Sequence, residues 1–109
     1  MLFFYRAYKF NSPLKLGALR DKLNQCGPFE WIDRDGDEHG DYLSAHIPED
    51  SWLKLYEYGA GEYQIDIKFR PETVREIAER DWQALHGRVV DVWLPAMQAS
   101  AVVETEVVD

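Results

Sequence analysis

The stretch 53–67 restricts this chain most: Leu53, Leu55, Ile65 and Ile67 alternate with Lys54, Tyr56, Gln64 and Asp66 on either side of Gly59-Ala60-Gly61. Alternation with a period of two marks strands with one buried face, and the glycines supply a reversal between them. A three-residue loop sets Leu55 against Ile65, Leu53 against Ile67, Tyr56 against Gln64, Lys54 against Asp66 and Tyr58 against Glu62. Apolar pairs then share one face and an opposite-charge pair lies on the other. A two-residue loop would set Leu55 against Gln64 and mix the faces. The same parity test, with Pro48-Glu49-Asp50 as a loop, pairs Ala45 with Leu53 and Leu43 with Leu55. The outward set becomes Tyr42, Ser44, His46, Trp52, Lys54, Tyr56 and Tyr58.

The flanking segments supply the other elements. Residues 2–10 (LFFYRAYKF) are apolar in both alternating sets at their start, as in a central strand covered on both faces. Ser12 as N-cap and Pro13 at the first helical position open a helix over about 13–26, with Leu16, Leu19 and Leu23 on one side and Gly27-Pro28 as its stop. Residues 29–69 form a four-strand antiparallel meander, turning at Asp35-Gly36, at 48–50 and at 59–61. A second helix runs continuously from Glu72 to Leu94 through Val74, Ile77, Leu85, Val89 and Val92, with Trp82 and Trp93 anchoring it to the sheet. Pro95 should end or kink it. Parity does not assign a face to Trp31.

The element order is thus β-α-β-β-β-β-α. It implies an α+β two-layer sandwich, with a mostly antiparallel sheet of about five strands and two helices on one face. A single domain spans 1–97, and 98–109 is expected to be a flexible acidic tail, with an edge strand as the other reading. In general shape this resembles ferredoxin-like small proteins, a group that includes dimeric enzymes, metabolite-binding regulators and partner-binding modules. A likeness of that order implies a fold and not a function.

Charge narrows the partners. Twelve Lys and Arg face 20 Asp and Glu across 109 residues, a net −8, which opposes binding to phosphate backbones and to anionic membrane surfaces. Residues 30–50 hold eight carboxylates against Arg34 alone. Within them, Asp33, Asp35, Asp37 and Asp41 imitate the start of a calcium loop. The match fails where position six is Glu38 and position twelve is Ser44, so the segment reads as a solvated acidic hairpin and no metal is expected. A lone Cys26, five apolar residues before the first charge, and no apolar run of membrane length make a reducing cytoplasm the expected location.

Nothing in the sequence asserts catalysis or a cofactor. His39, His46 and His86 lack zinc-site spacing, and Ser44 and His46 are about 7 Å apart along one strand, too far for direct activation. The sequence instead suggests a binding face: Tyr42, His46, Trp52, Tyr56 and Tyr58 as one exposed aromatic patch, with Asp33, Asp35, Asp37 and Asp41 beside it to steer a basic protein partner. The alternatives are a ferredoxin-like enzyme or small-molecule binder with a pocket between sheet and helices, and a homodimer whose seam is the aromatic face.

Overall fold

The computed structural model describes residues 4–37, 40–47, 51–69 and 75–108. Its elements are β1 (Phe4–Asn11), α1 (Leu16–Cys26), β2 (Ile32–Asp37), β3 (Gly40–Ile47), β4 (Ser51–Gly59), β5 (Glu62–Phe69), α2 (Arg75–Arg88), a π-helical segment (Val89–Trp93), α3 (Leu94–Ala96) and β6 (Ser100–Val108). The strands make a six-stranded sheet in the order β2-β3-β4-β5-β1-β6, with every neighbouring pair antiparallel. The α+β class and the meander of β2 to β5 match the sequence reading, as does the interior position of β1.

The parity argument holds along the two hairpins. Leu55 pairs with Ile65, Leu53 with Ile67, Lys54 with Asp66 and Tyr56 with Gln64, while Ala45 pairs with Leu53 and Leu43 with Leu55. One pair differs. Glu62 lies opposite Gly59 and Tyr63 opposite Glu57, so Tyr58 occupies a bulge in place of the expected pairing with Glu62. A bulge reconciles a tight turn with unbroken alternation, because it absorbs one residue without turning the strand over. Gly61, at φ +73°, takes a conformation that side chains resist, and its N–H donates to Glu57 Oε2 at 3.1 Å.

The inner face of the sheet (Tyr8, Phe10, Leu43, Leu53, Leu55, Tyr63, Ile65, Ile67) packs in one core with Leu19 and Leu23 of α1 and with Trp82, Leu85, Val89, Trp93, Leu94 and Met97. The anchoring expected of Trp82 and Trp93 is therefore met, and Trp31, unassigned by parity, is 1% exposed. Trp31 meets Trp93 edge-on at 5.6 Å. Asn24 of α1 clamps the Trp31 backbone, accepting its N–H at 2.7 Å and donating to its C=O at 3.1 Å. Such an amide replaces a missing strand neighbour just where the chain enters the sheet.

Three expectations about the helices and termini are corrected. Ser12 does not cap α1, which starts at Leu16; its hydroxyl accepts the Leu14 N–H at 3.1 Å and donates to the Met97 carbonyl at 2.6 Å, joining the exit of β1 to the turn after α3 instead. The second helix is not a uniform α-helix stopped at Pro95. It passes through a π-turn in which the Leu94 N–H bonds to Val89 O, then resumes with Met97 N–H on Trp93 O at 3.0 Å. The extra residue in that turn carries the chain past the donor that Pro95 lacks. Val74 falls outside the described residues, as does the side chain of Ile77.

The third correction is the C-terminus. Residues 100–108 are not a flexible tail: they form β6, which runs antiparallel to β1 from Phe4↔Val108 to Asn11↔Ser100. Val89 is fully buried and Val90 42% exposed. Val89→Asp should therefore lower stability by several kcal/mol in denaturant titration, while Val90→Asp stays within about 0.5 kcal/mol of the parent.

Candidate binding face

The face turned away from the helices is a grid set by strand register. One row runs Arg34, Tyr42, Tyr56, Gln64, Lys9, Val103, and the next runs Ile32, Ser44, Lys54, Asp66, Ala7, Thr105. Of the proposed aromatic patch, Tyr58 is 43% exposed and Tyr42 half-buried. Tyr56 corrects the expectation of an exposed side chain. It is only 8% accessible, since it lies mid-sheet between Tyr42 and Gln64 with the Lys54 ammonium 5.3 Å from its ring. The backbones of His46 and Trp52 pair directly, as the parity test requires, but their side chains lie outside the described residues.

Cations are woven through these rings. Lys54 Nζ stands 4.6 Å from the centre of the Tyr42 ring, and Lys9 Nζ 5.5 Å from that of Tyr58. Each ammonium lies within reach of the negative ring face, an attraction that holds a long side chain flat over the sheet. Arg34 Nε donates to Ser44 Oγ at 3.1 Å. Asp66 lies within this surface at 5% exposure and accepts a 2.6 Å bond from Gln64 Nε2. At the β2 to β5 side the face sinks into an open concavity of about 700 Å³ whose lining, among the described residues, includes Glu30, Arg34, Tyr42, Ser44, Lys54 and Lys68.

Asp33 and Asp41 do not lie on the tyrosines' side of the sheet. Asp33 pairs with Leu43, a core residue, so it takes the parity of the helix side, and its carboxylate is bound by the Arg20 guanidinium of α1. Asp41, two residues before Leu43, shares that parity. Asp35 is exposed, and the side chain of Asp37 lies outside the described residues. The β2–β3 hairpin thus presents Asp33 on one side and Arg34 and Tyr42 on the other. Alternation within the strand is the reason: consecutive residues of DRD cannot share a face.

A second cluster escaped the sequence reading. Tyr8 is completely buried under α2. Its phenolic oxygen lies 3.1 Å from Trp82 Nε1 and 2.8 Å from His86 Nδ1. Indole N–H can only donate, so the phenol oxygen accepts from Trp82 and shares a second hydrogen bond with His86 Nδ1. Glu104 of β6 reaches within 3.7 Å of the same Nδ1, and the Arg6 guanidinium stacks 4.1 Å over Trp82. The signal was present in the sequence: Trp82 and His86 are four residues apart, on one helix face. Burial pushes the Tyr8 phenol up from 10.0 to about 12, with the negative charge of Glu104 acting in the same direction.

No protein-family model matches the chain, and no curated protein matches it. Among the described residues, no three His, Cys, Asp or Glu side chains come together as a metal site, and no helix is long and apolar enough to cross a membrane.

Because the folded state holds the Tyr8 proton more tightly than the unfolded chain, its contribution is complete below pH 10.0 and disappears as pH rises toward about 12. Tyr8→Phe should flatten that alkaline decline. It should also cost about 1–3 kcal/mol near neutrality, by leaving Trp82 Nε1 and His86 Nδ1 without their partner. Denaturant midpoints at a series of pH values check both effects.

Proposed function

We propose that this chain is a small non-enzymatic binding protein, of inhibitor, immunity or adaptor type, whose outer sheet face receives another protein chain. The observation that carries the reading is the unequal cover of the sheet. The inner face is filled by α1, α2 and the residues after them, while the opposite face holds Tyr42, Tyr58, Lys54 and Lys9 with, among the described residues, no helix over them. Tyrosine suits such a role because it buries a large area for few frozen torsions. Apart from the added hairpin of β2 and β3, the order β6-β1-β5-β4 with its two helices follows the β-α-β-β-α-β pattern of ferredoxin-like folds, which supports a scaffold that frees one sheet face. A reducing cytoplasm fits the lone Cys26.

The competing pocket between sheet and helices is disfavoured by how that space is occupied. Trp31, Trp93, Tyr8 and Tyr63 are all 2% exposed or less and fill it. The buried Tyr8, Trp82 and His86 network reads as a fastening between β1 and α2.

Affinity capture from the native host, with the parent and with Tyr42→Ala/Tyr58→Ala as baits, tests the reading. The expected result is a defined protein retained by the parent and lost from the variant, whose thermal midpoint stays close to the parent's. Equal capture by both baits contradicts it. A tight dimer in light scattering that the double variant dissolves would instead make the face a homodimer seam.

A further inference from the structure

The sheet ends at β6, with no strand beyond it among the described residues. The segment 102–108 reads VVETEVV, the same in both directions about Thr105. When a second copy lies antiparallel to such a strand, valine meets valine, threonine meets threonine, and no apolar residue is set against a charge. Val103, 57% exposed, is the most exposed large apolar side chain among the described residues, and Val102 beside it is 45% exposed.

The backbone of β6 is arranged for such a neighbour. The Ser12 N–H bonds to Gly61 O at 3.0 Å, in line with the pairing of β1 and β5. Hydrogen bonds alternate sides along an antiparallel strand, so Lys9, Ala7 and Tyr5 turn their backbone groups to Val103, Thr105 and Val107. Glu104 and Glu106 therefore turn their N–H and C=O groups to the open edge. The bulge opposite Phe10, where Ala101 sits at φ +53°, precedes this stretch and leaves Val103 to Val108 in regular register.

From these observations we propose that β6 pairs with β6 of a second copy about a two-fold axis at Thr105, joining two six-stranded sheets into one. The axis stands perpendicular to the sheet, so both helix layers lie on one side and both outer faces on the other. The interface is separate from the outer face and does not depend on how that face is used. The symmetry also sets Glu104 against Glu106 twice, a like-charge contact that opposes association. Cations stand on that same side: Arg6 lies opposite Glu106 in β1, and His86 Nδ1 is 3.7 Å from the Glu104 carboxylate. The balance gives a reversible dimer.

Sedimentation over a concentration series and cross-linking of cysteine variants in a Cys26→Ser background test the proposal. The parent should show a monomer–dimer equilibrium. Glu106→Pro should abolish it, because proline removes an edge N–H that the monomer does not use, while the thermal midpoint stays close to the parent's. Thr105 faces itself across the axis in a pair whose Cα atoms are about 4.5 Å apart, so Thr105→Cys should form a disulfide-linked dimer with copper phenanthroline. Val103→Cys, whose opposite residue is Val107, should not. If Glu106→Pro also loses stability, the cysteine pair decides alone. A parent that stays monomeric up to about 1 mM, or Val103→Cys linking as readily as Thr105→Cys, overturns the proposal. So does a dimer that Tyr42→Ala/Tyr58→Ala dissolves and Glu106→Pro preserves, since its seam would then be the outer face.

Discussion

The pairing of β4 with β5 is the constraint on which the rest of the molecule depends. Leu53 and Leu55 meet Ile67 and Ile65 on one side, and Lys54 meets Asp66 on the other. A slip of one residue would bring Lys54 and Asp66 into the core and the aliphatic residues out of it, so no neighbouring register competes. Once that pair is set, β3 and β1 inherit their faces by hydrogen bonding. The helices then have one apolar surface to cover, and the outer grid of tyrosines and lysines follows as what remains.

The two ends of the sheet are secured by different chemistry. At the β2 end the fastening is aromatic and amide: Trp31 against Trp93, Trp93 Nε1 donating to Gly27 O at 3.2 Å, and Asn24 on the Trp31 backbone. At the β1–β6 end it is a polar chain from Trp82 through Tyr8 to His86, with Glu104 close to the imidazole. A buried phenol is favourable only while both of its neighbours are present, because an unpaired donor in the core costs more than the bond contributes. The network therefore specifies how α2 sits on β1, beyond what apolar packing alone selects. Ser12, bonded to Met97, adds a third tie between the first strand's exit and the turn that leads into β6.

Elements with strong local patterns were legible in the sequence. The meander, the register of Leu55 on Ile65, the leucine face of α1 and the anchoring by Trp82 and Trp93 all arise from periodicity that contiguous residues carry. What was not legible depends on distant partners. β6 is exposed from Ala101 to Thr105 and alternates weakly, so its strand state comes from pairing with β1 rather than from its own composition. The π-turn answers to Pro95 and to core packing together. For the candidate face, the backbone positions of Tyr42, Tyr56 and Trp52 were readable, whereas the covering of Tyr56 by Lys54 and the ion pair that Asp33 makes with Arg20 of α1 need side-chain reach that parity does not encode.

The central claim is that register divides the sheet into a filled inner face and a tyrosine-lysine outer face. Cross-strand nuclear Overhauser contacts between backbone protons of β4 and β5 test it most directly. The structure requires Leu55 directly opposite Ile65 and Tyr56 directly opposite Gln64. Leu55 directly opposite Gln64 or Asp66 would contradict it, since every side chain of β4 would then change faces relative to β5 and the outer surface described here would not exist.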